Sequence, residues 1–502
     1  MKQKIIIIGA GMGGLFTGAL LTKEGYEVTL LEKNTIAGGG LQCFRRGGET
    51  FETGMHVLGG FQPGGSLDKI CTYLGIRQRL SIVPGQGVMC SLTYGKDAKT
   101  YRFPCGKQAF IDYFSREFPA EAENVRRYVE RLYALSEEVD LFHLRHGRDT
   151  LRNHSEEFLQ PVGPFIASYI RDTRLRDVLA VLNPLYAGVA EHTPAYIHAL
   201  INVLYIEGTS QFAGGSQQLA DALCDLIRDG GGRVLCGDAV ERVDVEERLV
   251  KQVLTHSGRQ YTADWYISDI HPCTLLGLTG DHAFPKAYRN RLNDIPNSYS
   301  AFTVYIKCKP GSVPFVSYPR YYLSGDSNTW QVAAYDSDEW PRGFMCITPP
   351  TTEDDTRATR MIVNCIMPFD AVRRWEDTRL GNRGEEYLRW KEETTEKVLQ
   401  RLEEFLPGIR EGIEFSFASS PLTIRDYYGT KEGAIYGFHR DAQNLISSQV
   451  TIGTKVRNLL LTGQNVNLHG ICGVPLTAIE VAEAFVGNGT IIDKINQAYA
   501  QK

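Results

Sequence analysis

Residues 4–14 read Lys-Ile-Ile-Ile-Ile-Gly-Ala-Gly-Met-Gly-Gly, and this stretch decides the fold. The isoleucine run is short, β-branched and continuous, which is typical of a buried parallel strand. A G-x-G-x-x-G pattern begins at Gly9, a helix is predicted at 15–24, and residues 27–32 (Glu-Val-Thr-Leu-Leu-Glu) have the pattern of a second strand. A strand, this glycine pattern, a helix and a strand with an acidic end predict a Rossmann-like dinucleotide-binding unit.

Each glycine of the pattern has a physical reason. Gly9 permits a tight turn, Gly11 lets the backbone approach a pyrophosphate, and Gly14 lets the helix pack on the strand. The N–H groups and the dipole of the helix would then face the two phosphates. Glu32, at the end of the second strand, is placed to accept hydrogen bonds from ribose hydroxyls. The predicted nucleotide site also includes Gly13 and Lys33.

The sequence after the second strand indicates which dinucleotide is bound. Residues 33–40 (Lys-Asn-Thr-Ile-Ala-Gly-Gly-Gly) and 51–56 (Phe-Glu-Thr-Gly-Met-His) resemble the FAD-dependent family of phytoene desaturases, carotenoid isomerases and retinol saturases, relatives of the flavin amine oxidases. In that family the glycine doublet packs against the FAD pyrophosphate, and the E-x-G segment lies beside the flavin ring. The Thr-Gly-Met-His segment is most similar to the retinol saturase branch. Desaturases and amine oxidases usually have Arg after the doublet, so Gly40 disfavours those two activities here.

Two later parts of the chain fit the same resemblance. Residues 212–218 (Phe-Ala-Gly-Gly-Ser-Gln-Gln) precede a helix predicted at 219–228 and a strand pair predicted within 233–244. The resemblance implies that the backbone at Val240 touches the adenine. These segments extend the predicted FAD domain beyond its N-terminal part.

At the C-terminal end, residues 458–464 (Asn-Leu-Leu-Leu-Thr-Gly-Gln) predict a buried strand and a turn. A helix is predicted at 476–485, with Pro475 in its first turn, where a missing N–H costs nothing. The resemblance implies that this helix points its N-terminus at the flavin C2 carbonyl. Its dipole would then stabilise negative charge on reduced flavin by up to ~2 kcal/mol.

By these motifs and this resemblance, FAD is the predicted cofactor, and no metal is predicted. The predicted FAD-binding residues are Gly9, Gly11, Gly13, Gly14, Glu32, Lys33, Gly39, Gly40, Gly54, Met55, Val240, Gly463, Gln464, Gly473 and Val474.

Between the predicted FAD-binding segments the chain has a different pattern of apolar and aromatic residues. Helical, aromatic-rich patterns dominate residues 82–205, whereas residues 285–440 mix strand patterns at 300–307, 330–335 and 360–367 with an amphipathic helix at 385–405. The prediction is an α/β fold, in which a Rossmann-like FAD-binding domain is interleaved with a mixed α+β substrate domain. The FAD-binding domain is assigned to residues 1–81, 206–284 and 441–502, and the substrate domain to residues 82–205 and 285–440.

Composition excludes some partners. The chain has 502 residues and a net charge of −5, and 50 residues are glycine. A nucleic-acid partner is not expected, because such proteins usually carry a basic excess. Eleven cysteines without a C-x-x-C pair favour a reducing, cytoplasmic location over a disulfide or zinc framework. The apolar substrate that the family handles also suggests peripheral contact with the inner face of a membrane.

Two residues are candidates for the chemistry. The resemblance places His56 beside the flavin, where its reference pKa of ~6.5 suits delivery of a proton while flavin delivers hydride. Tyr436, in a G-x-x-Y-G segment, is expected on the substrate side of the ring. His439, His469 and Cys472 are weaker candidates. Each of these residues has an alternative structural role, as a packed or hydrogen-bonded core side chain.

The leading functional prediction is an FAD-dependent oxidoreductase that adds or removes hydrogen at carbon–carbon bonds of a hydrophobic polyene or isoprenoid. Three alternatives stay open: a redox-neutral cis–trans isomerase that uses reduced FAD, a flavin amine oxidase, and a non-enzymatic prenyl-group escort protein. No second G-x-G-x-x-G lies between a strand and a helix, so the electron donor or acceptor is unassigned.

Overall fold

Five parallel strands form the central sheet of the nucleotide-binding half in the computed structural model, which describes residues 2–147, 154–352 and 355–502. Their order is Arg233–Cys236, Glu27–Glu32, Lys4–Ile8, Trp265–Ser268 and Leu459–Leu461. The isoleucines of the central strand are buried because helices cover one face of the sheet, and strands of a small antiparallel sheet contribute to the apolar cluster on the other face.

The N-terminal helix ties together segments that are distant in sequence. Met12–Lys23 packs against Gly470–Val486, from the C-terminal part of the chain, and against Gln217–Asp229. Ten of its twelve residues are buried, so it is a central element of the core. A small antiparallel sheet of Val240–Glu246, Leu249–Thr255 and Gln260–Tyr261 adjoins this half.

The second half contains a mixed sheet of seven strands. Their order is Ile413–Ser419, Ser300–Cys308, Arg360–Met367, Gly343–Ile347, Arg320–Leu323, Val88–Tyr94 and Thr100–Pro104. The pairing of Arg320–Leu323 with Val88–Tyr94 is parallel, and the other pairings are antiparallel. Two strands of this sheet therefore come from the segment predicted to be mainly helical, and they join the two predicted substrate segments.

The other helices and strands complete these layers. The helices are Ser66–Leu74, Lys107–Glu117, Ala122–Glu137, Val162–Tyr169, Thr173–Leu179, Ala195–Glu207, Pro272–Thr279, Lys286–Asp294, Glu385–Phe405, Pro421–Tyr428, Leu445–Ser448 and Thr490–Ala500. The strands are Cys43–Arg46, Glu49–Glu52, Leu58–Gly59, Ile82–Pro84, Thr209–Phe212, Val313–Pro314 and Arg357–Ala358.

Two predicted elements are wrong. The strand expected at 330–335 is a 3₁₀ turn, Gln331–Ala333, because the Asn328 side chain accepts hydrogen bonds from the N–H groups of Trp330 and Gln331, each at 3.1 Å. Such local bonds compete with strand pairing. The pair expected within 233–244 is divided between two sheets.

The C-terminal helix also starts earlier than expected. It begins at Gly470 and contains Pro475 as its sixth residue, beyond the first turn. Burial of the segment from Ile471 to Pro475 explains the early start, since tertiary packing overrides weak helix propensity.

The helix Glu385–Phe405 packs on its own domain. Its residues Tyr387, Val398 and Leu402 are buried in one cluster with the apolar face of the seven-stranded sheet. Across the described part of the chain, no single helix is long and apolar enough to cross a bilayer. The consecutive helices Gly470–Val486 and Thr490–Ala500 reach the required length and composition only together, and they meet at a bend of 116°.

Candidate flavin and substrate site

A cavity of about 470 Å³ is lined by both halves of the molecule. This volume lies within the range of ~300–1,000 Å³ that is usual for small-molecule sites. The cavity is lined by these predicted residues: Gly9, Gly11, Gly13, Glu32, Lys33, Gly39, Gly40, Gly54, Met55, His56, Val240, Tyr436, Gln464, Gly473 and Val474. Segments from the two ends of the chain and from its middle therefore meet around one space.

Gly14 and Gly463, the other two predicted residues, lie behind the lining. A Cβ on Gly14 would lie 2.1 Å from the Gly9 carbonyl oxygen. A Cβ on Gly13 would lie 2.6 Å from the Gly463 Cα, and Gly463 itself has a positive φ of 86°. In both cases the Cβ would meet backbone atoms, which cannot move aside as a flexible side chain can. The glycines therefore keep the N-terminal loop and the C-terminal turn in close contact.

Glu32 is held in a fixed orientation at one end of the cavity. Its Oε2 accepts a hydrogen bond from the Ala10 N–H, and its Oε1 accepts one from the Asn34 N–H, both at 2.9 Å. A carboxylate has about four acceptor sites, so capacity is left for two ribose hydroxyls. Beside it, Lys33 donates to the Asp426 carbonyl at 2.6 Å, and burial lowers the pKa of Lys33.

Tyr428 explains two glycines of the predicted site. A Cβ on Gly54 would lie 2.2 Å from the Tyr428 hydroxyl oxygen, and one on Gly40 would lie 3.3 Å from it. Tyr428 also lines the cavity. A side chain at Gly40, the residue after the glycine doublet, would therefore be in tight contact with Tyr428.

His56 is oriented by a buried carboxylate. Its Nδ1–H donates to Glu52 Oε2 at 3.2 Å, and the exposed fractions of the two residues are 8% and 1%. Glu52 ends the strand Glu49–Glu52, so the pairing of that strand with Cys43–Arg46 positions the histidine. This arrangement leaves Nε2 as the ring nitrogen that is available to a ligand.

The start of the helix Gly470–Val486 forms another wall. Gly473 and Val474 line the cavity, and a Cβ on Gly473 would lie 2.6 Å from the Leu468 carbonyl carbon. Cys472, one of the weaker candidates, also lines the cavity. Burial raises the pKa of the Cys472 thiol to about 12, so it is a neutral thiol and not a nucleophile.

Tyr436 and His469 lie together at the cavity wall. Their ring centroids are 5.1 Å apart. Burial raises the pKa of Tyr436, so it is a neutral hydrogen-bond donor at ordinary pH. Burial, with Arg440 and His439 nearby, lowers the pKa of His469 to about 3. His439 itself is not among the residues that line the cavity.

Asp269 is a site residue that the sequence prediction missed. It directly follows the strand Trp265–Ser268, and its carboxylate accepts hydrogen bonds from the N–H groups of Gly11 and Gly14. The side chain opens onto the cavity but lies deep inside the protein. Burial raises the pKa of Asp269 to about 7, and the charge of Glu32 adds to the effect. The sequence gives no local signal for Asp269, because its place in the site depends on the pairing of its strand with Lys4–Ile8.

The remainder of the lining is mainly apolar. It includes Leu92, Phe142, Val181, Leu185, Ile197, Leu200, Ile201, Leu204, Val332, Phe344, Met345 and Ile366. These side chains come from the seven-stranded sheet, from the helix Ala195–Glu207, and from turns and 3₁₀ segments of the second half. Within the described ranges, no cluster of three His, Cys, Asp or Glu side chains is arranged to hold a metal ion.

The residues present fit a dinucleotide that carries a redox ring. The glycine loop has no space for side chains, Glu32 keeps acceptor capacity, and the same cavity continues into an apolar chamber. A Rossmann-like nucleotide site that is continuous with an apolar chamber in the second half of the molecule is the arrangement of a flavoprotein oxidoreductase.

Comparisons with known proteins identify the family. Residues 12–485 match the family described as flavin containing amine oxidoreductase, and the chain belongs to that family. FAD is its cofactor, and the protein is an oxidoreductase, as predicted. The predicted α/β fold class is confirmed as well.

Relatives cover almost the whole chain. An all-trans-retinol 13,14-reductase from Macaca fascicularis is 24% identical over 97% of this chain and 86% of its own length. A chloroplastic prolycopene isomerase 2 from an Oncidium hybrid cultivar is 24% identical over 86% of this chain and 74% of its own. The crystal structure of an oxidoreductase from Methanosarcina mazei matches with a TM-score of 0.65 at 17% identity, over 96% of this chain and all of the other. The resemblance to the retinol saturase and carotenoid isomerase branch is thereby confirmed.

Because the pKa of Asp269 is raised to about 7, we expect the affinity for FAD to depend on pH. Below about pH 6 its carboxyl is neutral, but as the pH rises through 7 it ionises and would repel a pyrophosphate held at the adjacent glycine loop. We expect the affinity to fall as pH rises through 7, toward a limit of about tenfold per pH unit for one linked proton. Asp269→Asn should flatten this dependence. Titration of apoprotein with FAD, followed by quenching of flavin fluorescence, measures both, and an equal slope in the variant would assign the linkage to another group.

Proposed function

We propose that this protein adds hydrogen across a carbon–carbon double bond of an apolar polyene, as an FAD-dependent enzyme of the retinol saturase type. The observation that carries this proposal is the continuity of the flavin site with an apolar chamber that has His56 in its lining. The full-length similarity to an all-trans-retinol 13,14-reductase supports the same reaction class.

Different residues of the chain would bind the cofactor, exclude water, deliver the proton and orient the substrate. Bound FAD supplies hydride chemistry at carbon. Gly11, Gly13 and Glu32 hold the nucleotide, and the apolar side chains exclude water from the polyene. His56, oriented by Glu52, holds a proton at Nε2 for the carbon next to the one that is reduced. Tyr436 stays protonated and orients the substrate as a hydrogen-bond donor.

Redox-neutral cis–trans isomerisation is the second candidate, since a prolycopene isomerase is similar over 86% of this chain. The test is anaerobic incubation of the FAD-loaded protein with a polyene and a chemical reductant, followed by chromatography and mass spectrometry. Saturation gives a product with two more hydrogen atoms and consumes reductant stoichiometrically. An isomer of unchanged mass, formed without net consumption, would favour the second candidate. Peroxide release on a panel of amines would favour amine oxidation instead.

We further propose, as separate predictions, a cytoplasmic location and peripheral contact with a membrane surface that supplies the apolar substrate. Co-sedimentation with lipid vesicles tests the contact. If all the protein stays in the supernatant, delivery from a membrane surface is excluded and a soluble carrier or direct uptake takes its place.

A further inference from the structure

Three buried polar atoms in the cavity lining have no hydrogen-bond partner among the described residues. Two of them are the Tyr321 hydroxyl oxygen and the His469 Nε2, and the exposed fractions of these residues are only 5% and 8%. The third, Thr430 Oγ1, follows Gly429, which packs against Lys33 at the nucleotide end. Burial of an unpaired polar atom is costly, so a ligand is the natural partner for the first two.

The strand Arg320–Leu323 directs Tyr321 towards the chamber. Side chains alternate along a strand, and the next residue, Tyr322, donates from the opposite face to Glu404 at 3.3 Å. The cross-strand neighbours of Tyr321 are Leu92 and Met345, which both line the cavity. The Tyr321 side chain therefore leaves the sheet between two apolar neighbours, and its hydroxyl has no hydrogen-bond partner within the ranges that the structure describes.

Both atoms lie near Tyr436, at the reactive end of the cavity. Tyr321 is close enough to Tyr436 and Tyr205 for their polar groups to interact electrostatically, and the His469 ring lies beside the Tyr436 ring at an angle of 51°. Tyr205 in turn donates to the Val57 carbonyl at 3.1 Å, next to His56. Burial raises the pKa of Tyr321 and lowers that of His469, so a neutral donor and a neutral imidazole face the ligand.

The charge of the lining restricts the ligand further. Among the described residues that surround the cavity, Lys33 is the only lysine, and no arginine is present. Lys33 lies at the nucleotide end, beside Glu32. His56 is already paired with Glu52, so a carboxylate carried by the substrate would be buried without a free counter-ion, which is strongly unfavourable.

We propose that Tyr321 and His469 bind a neutral polar end group, a hydroxyl or an aldehyde, of an otherwise apolar polyene. The inference rests on the proposed function and makes its substrate class more specific. It excludes both plain hydrocarbons and carboxylic acids as the preferred ligands. Tyr321 and His469 are thus specificity-determining residues, and neither is required for the hydrogen transfer itself.

The test measures binding to the FAD-loaded protein by quenching of tryptophan fluorescence. Four ligands share one polyene skeleton and end in a methyl, alcohol, aldehyde or carboxylate group. We expect the alcohol, the aldehyde or both to bind about tenfold more tightly than the hydrocarbon and the acid. The comparison of alcohol with aldehyde identifies the end group. This measurement on the unmodified protein needs no variant.

Variants then assign the preference to a residue. Tyr321→Phe should weaken binding of the preferred ligand about five- to tenfold and change hydrocarbon binding by less than about twofold. Tyr26→Phe, at a tyrosine whose hydroxyl donates to the Phe485 carbonyl at 3.3 Å outside the cavity lining, is the matched control and should change neither. Equal binding of all four ligands, a preference for the acid, or no effect of Tyr321→Phe would overturn the inference. If no polyene binds, the proposed function fails; if polyenes bind and are reduced without an end-group preference, only this inference fails.

Discussion

Replacing Gly14 with alanine is expected to give protein that loses its colour on purification and that binds FAD about 10- to 100-fold more weakly. The new Cβ would lie 2.1 Å from the Gly9 carbonyl oxygen and 3.2 Å from its carbonyl carbon. Both atoms belong to the backbone of the phosphate-binding loop, so the loop must open. Forced overpacking typically costs about 1–3 kcal/mol, and about 1.4 kcal/mol is equivalent to a factor of ten in affinity.

Gly11→Ala separates loss of cofactor from loss of fold. Its Cβ would meet the Asp269 Oδ2 at 2.6 Å, which is a side-chain contact in the cavity lining. We expect weaker FAD binding with a smaller loss of thermal stability than in Gly14→Ala. Gly277→Ala is the control, because this exposed glycine in the helix Pro272–Thr279 has open space at its Cβ position. Visible absorption, released FAD and thermal melting are the measurements, and normal FAD content in Gly14→Ala would contradict the role of the loop.

Elements with a strong periodic pattern were predictable from sequence. The strands Lys4–Ile8, Glu27–Glu32 and Arg360–Met367 and the helix Glu385–Phe405 have the predicted bounds. In each of them the burial pattern of the element is visible in its own residues. The prediction of a strand at 330–335 was wrong because the backbone conformation there is set by Asn328, a residue outside the predicted strand.

Some residues of the candidate site can likewise be identified from the sequence, and others cannot. Glu32 and the glycines belong to a pattern in which spacing carries the chemistry, so the sequence alone identifies them. Asp269 and Tyr321 have no local pattern. Asp269 reaches Gly11 only because the strands Lys4–Ile8 and Trp265–Ser268 are adjacent in the sheet. Tyr321 becomes a ligand-binding candidate only when its hydroxyl proves to be buried and unpartnered. Pairing between distant segments and missing hydrogen bonds are properties of the fold, and a single sequence does not display them.

His56→Gln is expected to lower turnover by about 100-fold or more while FAD content and substrate affinity stay within about twofold. General acid catalysis typically contributes about 10²–10⁴ in rate, and glutamine keeps the size and polarity of the side chain but cannot deliver a proton. Glutamine can still donate to Glu52, so the local structure should survive. Anaerobic turnover of a polyene with a chemical reductant, together with flavin content and ligand titration, is the measurement.

The matched control is His282→Gln, at an exposed histidine that bonds to the Val245 carbonyl outside the cavity lining. Glu52→Gln tests the positioning role, because it keeps the size of the side chain but replaces the carboxylate that accepts the His56 hydrogen bond by an amide. It should lower kcat more than it changes KM and should leave FAD binding intact. If His56→Gln retains full turnover with flavin bound, the histidine is a structural wall residue, and the proton must come from another group such as Tyr436. If turnover falls but the product is an isomer of unchanged mass, His56 serves the redox-neutral reaction instead.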